Sequence, residues 1–107
     1  MLHVVLSTVP LEAADSLASR LIDTRLAACV NVVPQVASVY RWKGAVERSA
    51  EALLIIKTSD ETLSRLLAEL PAMHPYTVPE IVALQVSAAH PAYAAWVDAE
   101  SSAAEQE

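Results

Sequence analysis

The sequence predicts an α+β domain with a ferredoxin-like β-α-β-β-α-β order, followed by a C-terminal helix. Three observations support this fold class. Apolar runs typical of strands alternate with two stretches of helical periodicity, the only glycine marks one tight hairpin turn, and a proline-led helical segment follows the last strand. Two helices on one side of an antiparallel sheet satisfy this order. We expect one domain over residues 1–100 and a flexible acidic tail over residues 101–107.

The first half of the chain supplies a strand, a helix and the outer strand of a hairpin. Residues 2–7 form a continuous apolar run, which is typical of a buried strand. Pro10 opens a helical pattern, and apolar residues recur three and four positions apart across residues 14–22. Residues 29–39 are rich in β-branched side chains but contain Pro34, so they predict two strand pieces joined by a bend.

The centre of the chain predicts a long β-hairpin. Strand alternation puts Ser38, Tyr40 and Trp42 on one face. Gly44 supplies the positive φ of the tight turn, and the returning strand covers residues 46–57. This hairpin is longer than the other strands require. Its far half should therefore project from the domain and pair with another subunit.

The second half supplies a helix, a strand and the final helix. Thr58 to Glu61 fits a capping box, with Thr58 as the N-cap residue. The expected apolar stripe of the helix that follows consists of Leu63, Leu66, Leu67 and Leu70. A strand is predicted over residues 81–86. Pro91 then opens a short helix whose apolar face would contain Tyr93, Trp96 and Val97.

The segment His74-Pro75-Tyr76-Thr77-Val78-Pro79-Glu80 is the most informative in the chain. Each proline fixes its own φ and favours extended backbone at the preceding residue, so the segment cannot be the interior of a helix. It is expected to be a stiff connector that presents an imidazole, a phenol and a carboxylate at fixed spacing. Such rigid presentation is typical of binding sites, although a proline-rich stop between a helix and a strand explains it equally simply.

Composition limits the classes of partner and site. The chain has 107 residues, of which 54% are hydrophobic, yet no apolar run is long enough to cross a membrane. The excess apolar surface predicts an oligomer. The formal net charge of −6 disfavours nucleic acid and anionic membranes as partners. Gly44 is the only glycine, which excludes GxGxxG and Walker A phosphate loops.

The single cysteine bears on the compartment. Cys29 alone excludes an intrachain disulfide. The first residues lack a basic region and a small-residue cleavage site, so no secretory signal is predicted. Together these features predict a cytoplasmic protein.

Several side chains could bind a ligand or a metal. Of the three histidines, His74 is the expected metal ligand, because Pro75 and Pro79 fix its surroundings, and Glu80 could add a carboxylate. Cys29 is either a soft ligand for copper or a small buried hydrophobe. Lys57 ends a buried strand, where its ammonium needs a carboxylate or a ligand unless it reaches solvent. No spacing indicates a catalytic triad.

Four segments of the chain together resemble the CutA divalent-cation tolerance family. They are Arg25-Leu26-Ala27-Ala28-Cys29-Val30-Asn31, the Ser38-x-Tyr40-x-Trp42-x-Gly44 pattern, the strand from Glu51 to Thr58, and the His74 segment continued to Ile81. The resemblance extends over residues 2–97. It implies a homotrimer of ferredoxin-like subunits joined by their hairpins, with an architecture similar to the PII signalling proteins. It further implies a non-enzymatic role in tolerance of divalent metals, of which copper is the ion most often associated.

The resemblance also implies a set of site residues. Those that would line a cleft between subunits are Cys29, Tyr40, Trp42, Glu51, Lys57, His74, Tyr76 and Glu80. Within this set, His74, Cys29 and Glu80 would hold copper or another divalent cation. Members proposed to bind copper can carry a cysteine and a second histidine at the positions of Ser7 and Met73, so two potential donors are replaced here.

Two other functions fit the same cleft. A PII-like sensor or scaffold could bind a small anionic metabolite through Lys57, Tyr40 and the His74 segment. An enzyme could use His74 or Glu80 as an acid or base, but the sequence offers no nucleophile and no reaction, so this ranks last. No protein partner beyond further copies of the chain is indicated.

Overall fold

The computed structural model describes residues 1–102 of the chain. Its elements, in chain order, are β1 (Leu2–Val9), a 3₁₀ turn (Leu11–Ala13), α1 (Ala14–Asp23), β2 (Cys29–Trp42), β3 (Ala45–Ser59), α2 (Asp60–Met73), β4 (Val82–Gln85) and α3 (Pro91–Glu100). The strands form one antiparallel sheet in the order β2-β3-β1-β4. This is the ferredoxin-like order, so the predicted fold class is confirmed.

The helices α1 and α2 cover one face of the sheet. Because side chains alternate along a strand, Val5 and Val9 of β1 share that face with Leu54 and Ile56 of β3, and all four are fully buried. The helical side chains buried in the same core are Ala14, Leu17, Leu21, Leu66 and Leu70. We call the opposite face the open face: most of it is uncovered within the described residues, but Leu2 and Ser59 at one end are buried, and Tyr93 of α3 contacts Cys29 there.

The start of α2 differs from the prediction. Thr58 is not the N-cap residue, because pairing with β1 continues through Ser59 and keeps Thr58 in the strand. Its hydroxyl instead donates a hydrogen bond to the carbonyl oxygen of Leu26 at 2.8 Å. Ser59 is the N-cap residue, and its side chain makes no capping hydrogen bond. The predicted capping box is therefore wrong.

The buried stripe of α2 is rotated from the one expected. Leu66 and Leu70 are buried as predicted, but Leu67 is 38% exposed. Thr62 is buried in its place, and its hydroxyl donates to the carbonyl oxygen of Ser101. The polar contact with the chain beyond α3 thus fixes which side of α2 faces inward.

The β2–β3 hairpin extends well beyond the end of β1. Pairing between β1 and β3 stops at Ala52, whereas β2 and β3 stay paired from Val36↔Glu51 to Trp42↔Ala45. We call residues 36–51 the arm. Its turn is confirmed at Lys43 and Gly44, whose φ values of 53° and 83° are those of a two-residue primed turn.

A bulge in β2 lies where the bend was predicted. The register shifts between Val33 and Val36, so β2 carries one more residue than β3 around Pro34. Before the bulge the odd-numbered residues from Cys29 to Val33 lie on the open face. The extra residue switches the alternation, so that Ser38 and Tyr40 lie on that face with Glu51 of β3.

Hydrogen bonds from Arg25 hold the C-terminal end of α3. Pro91 starts α3 as predicted, and Val97 is fully buried, while Tyr93 and Trp96 stack on one another at 5.7 Å and remain partly exposed. Arg25 donates to the carbonyl oxygens of Ala99 at 2.7 Å and Ser102 at 2.9 Å.

The tail predicted for residues 101–107 falls mostly outside the described residues. Its first residue, Ser101, is buried and donates its hydroxyl proton to the carbonyl oxygen of Val97. No helix within residues 1–102 has the length and apolar content needed to cross a membrane.

Candidate functional site

A pocket of about 610 Å³ lies where the proline segment meets the arm. Three aromatic side chains line it, Tyr40 and Trp42 from β2 and Tyr76 from the segment, together with the carboxylates of Glu51 and Glu80. The rest of the lining consists of hydroxyl and valine side chains, and none of it is Lys, Arg or His. We call this the arm pocket.

His74 anchors the proline segment from inside. It is 7% exposed, and its backbone is extended (φ −86°, ψ 136°), as the following proline requires. Its Nδ1 accepts a hydrogen bond from the backbone N–H of Tyr76 at 3.1 Å. Nε2 therefore carries the proton and donates to the carbonyl oxygen of Thr8 at 2.9 Å.

Burial, more than these hydrogen bonds, determines the ionisation of His74. Burial lowers the pKa of the imidazole below its usual 6.5, and the Thr8 carbonyl and Glu51 oppose that shift only in part. The ring is thus neutral at pH 7. Both of its nitrogens are used, so a metal could bind His74 only if one of the two hydrogen bonds broke.

Tyr76 connects the segment to β3. Its hydroxyl donates to Oε2 of Glu51 at 2.6 Å. Burial, and then the hydrogen bond to Glu51, raise the pKa of the phenol well above 10, because the phenolate would lose its donor role and face a carboxylate. Tyr76 therefore keeps its proton and donates it in the hydrogen bond to Oε2 of Glu51.

The two carboxylates differ in their surroundings. Glu51 is 7% exposed, and within residues 1–102 it forms no ion pair. Glu80 is exposed, and its Oε1 lies 3.5 Å from the hydroxyl of Thr8, which donates to it weakly. The pocket therefore carries negative charge on a buried wall and on its rim.

Cys29 and Lys57 lie elsewhere on the sheet. They are directly paired across β2 and β3, and Lys57 is six positions from Glu51, or roughly 20 Å along the strand. The ammonium of Lys57 and the thiol of Cys29 both donate to Oδ1 of Asn31. Burial, and then the neighbouring Cys29, raise the pKa of Tyr93 beside this cluster.

One chain thus brings together part of the predicted site. Tyr40, Trp42, Glu51, Tyr76 and Glu80 line the arm pocket. His74 lies behind it, and Cys29 and Lys57 lie at the other end of β3. No group of three or more His, Cys, Asp or Glu side chains in residues 1–102 is arranged to hold a metal ion. The metal set His74, Cys29 and Glu80 is therefore not assembled within one chain.

Ser7 and Met73 stand where copper-binding members can carry a cysteine and a second histidine, and neither supplies a metal ligand here. Ser7 is fully buried on the core face, and its hydroxyl has no hydrogen-bond partner. Met73 packs against the core from the end of α2. The pocket-lining residues outside the predicted set are Thr8, Ser38, Val39, Ser49, Thr77 and Val78. Thr77 and Val78 belong to the proline segment, and cross-strand pairing places Ser49 beside Ser38, but only the tertiary fold could bring Thr8 to the pocket.

A protein-family comparison matches residues 3–100 to the model described as CutA1 divalent ion tolerance protein. The divalent-cation tolerance protein CutA of Thermus thermophilus is 47% identical over 98 residues, which cover 91% of this chain and 95% of that protein. The CutA homolog of Xenopus laevis is 43% identical over 78% of this chain, and the match covers only 56% of the longer frog protein.

Solved structures give the same result. The T. thermophilus divalent cation tolerance protein (Cut A1) matches with a TM-score of 0.88 at 46% identity, covering 94% of this chain and 98% of that one. A protein from Nostoc, described as a PII-like protein CutA in apo form, matches with a TM-score of 0.89 at 33% identity, covering 94% and 97%. A structure from Archaeoglobus fulgidus, described as a periplasmic divalent cation tolerance protein, matches with a TM-score of 0.89 at 34% identity, covering 95% and 100%.

Proposed function

The chain belongs to the CutA1 divalent ion tolerance family and has a PII-like fold, and on that premise we propose that it is a non-enzymatic homotrimer that binds a divalent cation. Copper is the first candidate ion. The single observation that carries the proposal is the open face of the sheet. Most of it is apolar and uncovered in one chain, and both parts of the predicted site, the arm pocket and the Cys29–Lys57 pair, lie beside it.

The composition of the open face supports association. Val4 and Leu6 of β1 share it with Leu53 and Ile55 of β3, and all four are only partly buried. The β4 side chains on this face, Val82 and Leu84, are 46% and 50% exposed. An apolar sheet face of this extent costs free energy in water, and burying it against other copies removes that cost.

The arm supports association for a second reason. Over residues 36–51 only two strands pair, and an isolated two-stranded hairpin is marginally stable in water. Its exposed apolar side chains are Val39, Tyr40, Trp42 and Val46. Packing of each arm on a neighbouring copy would stabilise it and would bring residues of one chain close to those of another.

The cation site we propose is shared between copies. Cys29 lies about 20 Å along β3 from Glu51 in one chain, but both border the open face. Association through that face would bring the Cys29 end of one copy towards the Glu80 end of another. A thiolate and a carboxylate from different chains, with His74 freed from one hydrogen bond, would form a site of mixed soft and hard donors suited to copper.

Light scattering tests the assembly. The wild-type protein is expected to have three times the mass of one chain, and Ile55→Asp should reduce it because the new charge lies on the open face. Ile22→Asp is the matched control, since Ile22 is 41% exposed on α1, on the opposite side of the sheet. A monomeric wild-type protein, or equal effects of the two substitutions, would contradict the trimer.

Calorimetric titration with Cu(II) and Zn(II) tests the metal. Saturable binding should weaken in Cys29→Ser, in Glu80→Gln and in His74→Ala, while Glu69→Gln, on the outer face of α2, should bind as the wild type does. If all five proteins bound both metals equally weakly, the metal site would be refuted while the trimer remained.

A PII-like sensor of an anionic metabolite is the second candidate, and Lys57 favours it. Within residues 1–102 this ammonium has no carboxylate partner and contacts only the side-chain oxygen of Asn31. An anion would therefore bind at the Lys57 end of the open face, away from Glu51. A metabolite that raises the melting temperature of the wild type but not of Lys57→Ala would support this candidate, and equal shifts would count against it.

We further propose a cytoplasmic location, because the chain has one cysteine and hence no internal disulfide. The periplasmic description of the A. fulgidus relative makes cell fractionation the direct test.

A further inference from the structure

The carboxylate of Glu51 forms no ion pair within residues 1–102, although most of its side chain is buried. It is more than nine-tenths buried, and transfer of a charged group out of water costs several kcal/mol unless it is paired. Its only hydrogen bond within residues 1–102 comes from the hydroxyl of Tyr76 to Oε2. The second oxygen, Oε1, has no hydrogen-bond partner there, and it is not one of the fully buried unpaired atoms, so it is accessible from the arm pocket that the side chain lines.

The walls of the arm pocket are aromatic. Tyr40 and Trp42 are 44% and 45% exposed, and Tyr76 completes the lining beside Glu51. Aromatic faces attract cations through their quadrupoles, most strongly when the cation is stripped of water. The Trp42 ring already has a cation near it, because Nζ of Lys43 lies 5.9 Å from its centroid.

The donor set argues against a bare metal ion in this pocket. Glu51 and Glu80 are its only carboxylates, and the lining has no His or Cys. A calcium ion takes six to eight oxygen ligands, and magnesium requires a regular octahedron. An anion is disfavoured because the lining has two negative and no positive side chains. A neutral ligand would leave Glu51 unpaired.

We propose that the arm pocket binds an organic ammonium ion. Its charged nitrogen would donate to the free oxygen of Glu51, Glu80 would add attraction at the rim, and its alkyl groups would contact Tyr40 and Trp42. The volume of about 610 Å³ is in the range of small-molecule sites. Glu80 is common to this site and to the shared copper site, but the ammonium site depends on Glu51 and requires neither Cys29 nor a metal.

Calorimetry of the purified full-length protein in its native assembly tests the inference, with EDTA present to exclude metal binding. The probes are n-butylammonium and tetramethylammonium, and the controls of similar size are n-butanol and butyrate. We expect saturable binding of at least one ammonium, with one site per chain and a Kd no weaker than roughly millimolar. Butanol and butyrate should give no saturable heat.

Variants locate the site. Glu51→Gln keeps a hydrogen-bond acceptor for Tyr76 but removes the charge, and it should weaken binding by roughly tenfold or more. Glu61→Gln is the matched control, because it makes the same charge change on the first turn of α2, outside the pocket, and it should bind like the wild type. If Glu51→Gln fails to fold by circular dichroism, Glu80→Gln replaces it, since Glu80 is exposed.

Three results would overturn the inference. They are the absence of saturable heat with both ammonium probes, equal binding of butanol, and equal weakening by Glu51→Gln and Glu61→Gln. The first would mean that an arginine or lysine of another copy already neutralises Glu51. Failure of the copper titration leaves the ammonium result unaffected, so the two proposals can fail separately.

Discussion

The two faces of the sheet are built from similar side chains but have different surroundings. On one face, Leu54 and Ile56 of β3 are fully buried beneath the helices. On the other, Leu53 and Ile55 of the same strand are only partly covered. Alternation alone puts these neighbours on opposite faces. The difference lies in the connections of the chain, which place α1 and α2 on the same side of the sheet.

This contrast separates folding from association. The covered face forms the core of a single chain, and its apolar side chains are buried without help from another copy. The open face carries the arm pocket at one end and the Cys29–Lys57 pair at the other. Both candidate binding sites, the arm pocket and the Cys29–Lys57 pair, therefore lie on the face of the sheet that is largely exposed in one chain.

The adjacent isoleucines of β3 test the contrast most strongly. Ile56→Ala should lower the free energy of unfolding by about 2–5 kcal/mol, because it leaves a cavity in a closed core. Ile55→Ala removes the same atoms from the open face and should cost less at concentrations where the chains are dissociated. Urea denaturation at several protein concentrations measures both. Equal losses at low concentration would mean that the open face is closed within one chain.

The sequence was sufficient for the sheet, the hairpin and its turn because these follow from local patterns. Alternation placed Tyr40 and Trp42 on one face, and Gly44 marked the turn. The capping box at Thr58 failed because both Thr58 and Ser59 can cap a helix. Which of them does so depends on where β3 stops pairing with β1, and that is a property of the sheet.

The site was predictable only in part, for a similar reason. The resemblance to the CutA family implied a cleft that includes Tyr76, Glu51 and Glu80, and these three residues do line one pocket. The role of His74 could not be foreseen, because it depends on the carbonyl of Thr8, a backbone group with no sequence signature. The separation of Cys29 from Glu51 depends on strand register, which spacing along the chain does not reveal.

His74 and Tyr76 sharpen the contrast because they lie two residues apart, but His74 holds the segment to the backbone of β1 whereas Tyr76 lines the arm pocket. His74→Ala should lower the free energy of unfolding by about 2–4 kcal/mol, since it leaves the Thr8 carbonyl and the Tyr76 N–H without their partner. His90→Ala is the control, because His90 is exposed and its side chain caps nothing. Equal effects of the two substitutions would deny His74 its anchoring role.

The lowered pKa of His74 also predicts how the free energy of unfolding depends on pH. Its pKa is lower in the folded protein than the 6.5 of the unfolded chain, so below about pH 6.5 the unfolded state binds more protons. The contribution of this imidazole is complete above that value and is lost as the pH falls through the folded pKa. The wild type should therefore lose more stability between pH 7 and pH 5 than His74→Ala does.

Tyr76 is predicted to have the smallest effect on stability, because its hydroxyl serves the pocket and not the core. Tyr76→Phe removes one hydrogen bond to Glu51 and should cost about 1–2 kcal/mol. Since the folded pKa of this phenol is raised above 10, the folded state retains its proton longer than the unfolded state does. Its contribution is therefore complete below pH 10 and declines above it.

Denaturation of the wild type and of Tyr76→Phe between pH 9 and pH 11 measures that decline. The wild type should lose stability more steeply, and the difference between the two proteins should shrink as the pH rises. Tyr40→Phe is the control, because the Tyr40 hydroxyl is exposed and only accepts a long hydrogen bond of 3.4 Å from Ser49. A loss from Tyr76→Phe as large as that from His74→Ala would show that the pocket wall is part of the fold of one chain, and the separation between the two faces would not hold there.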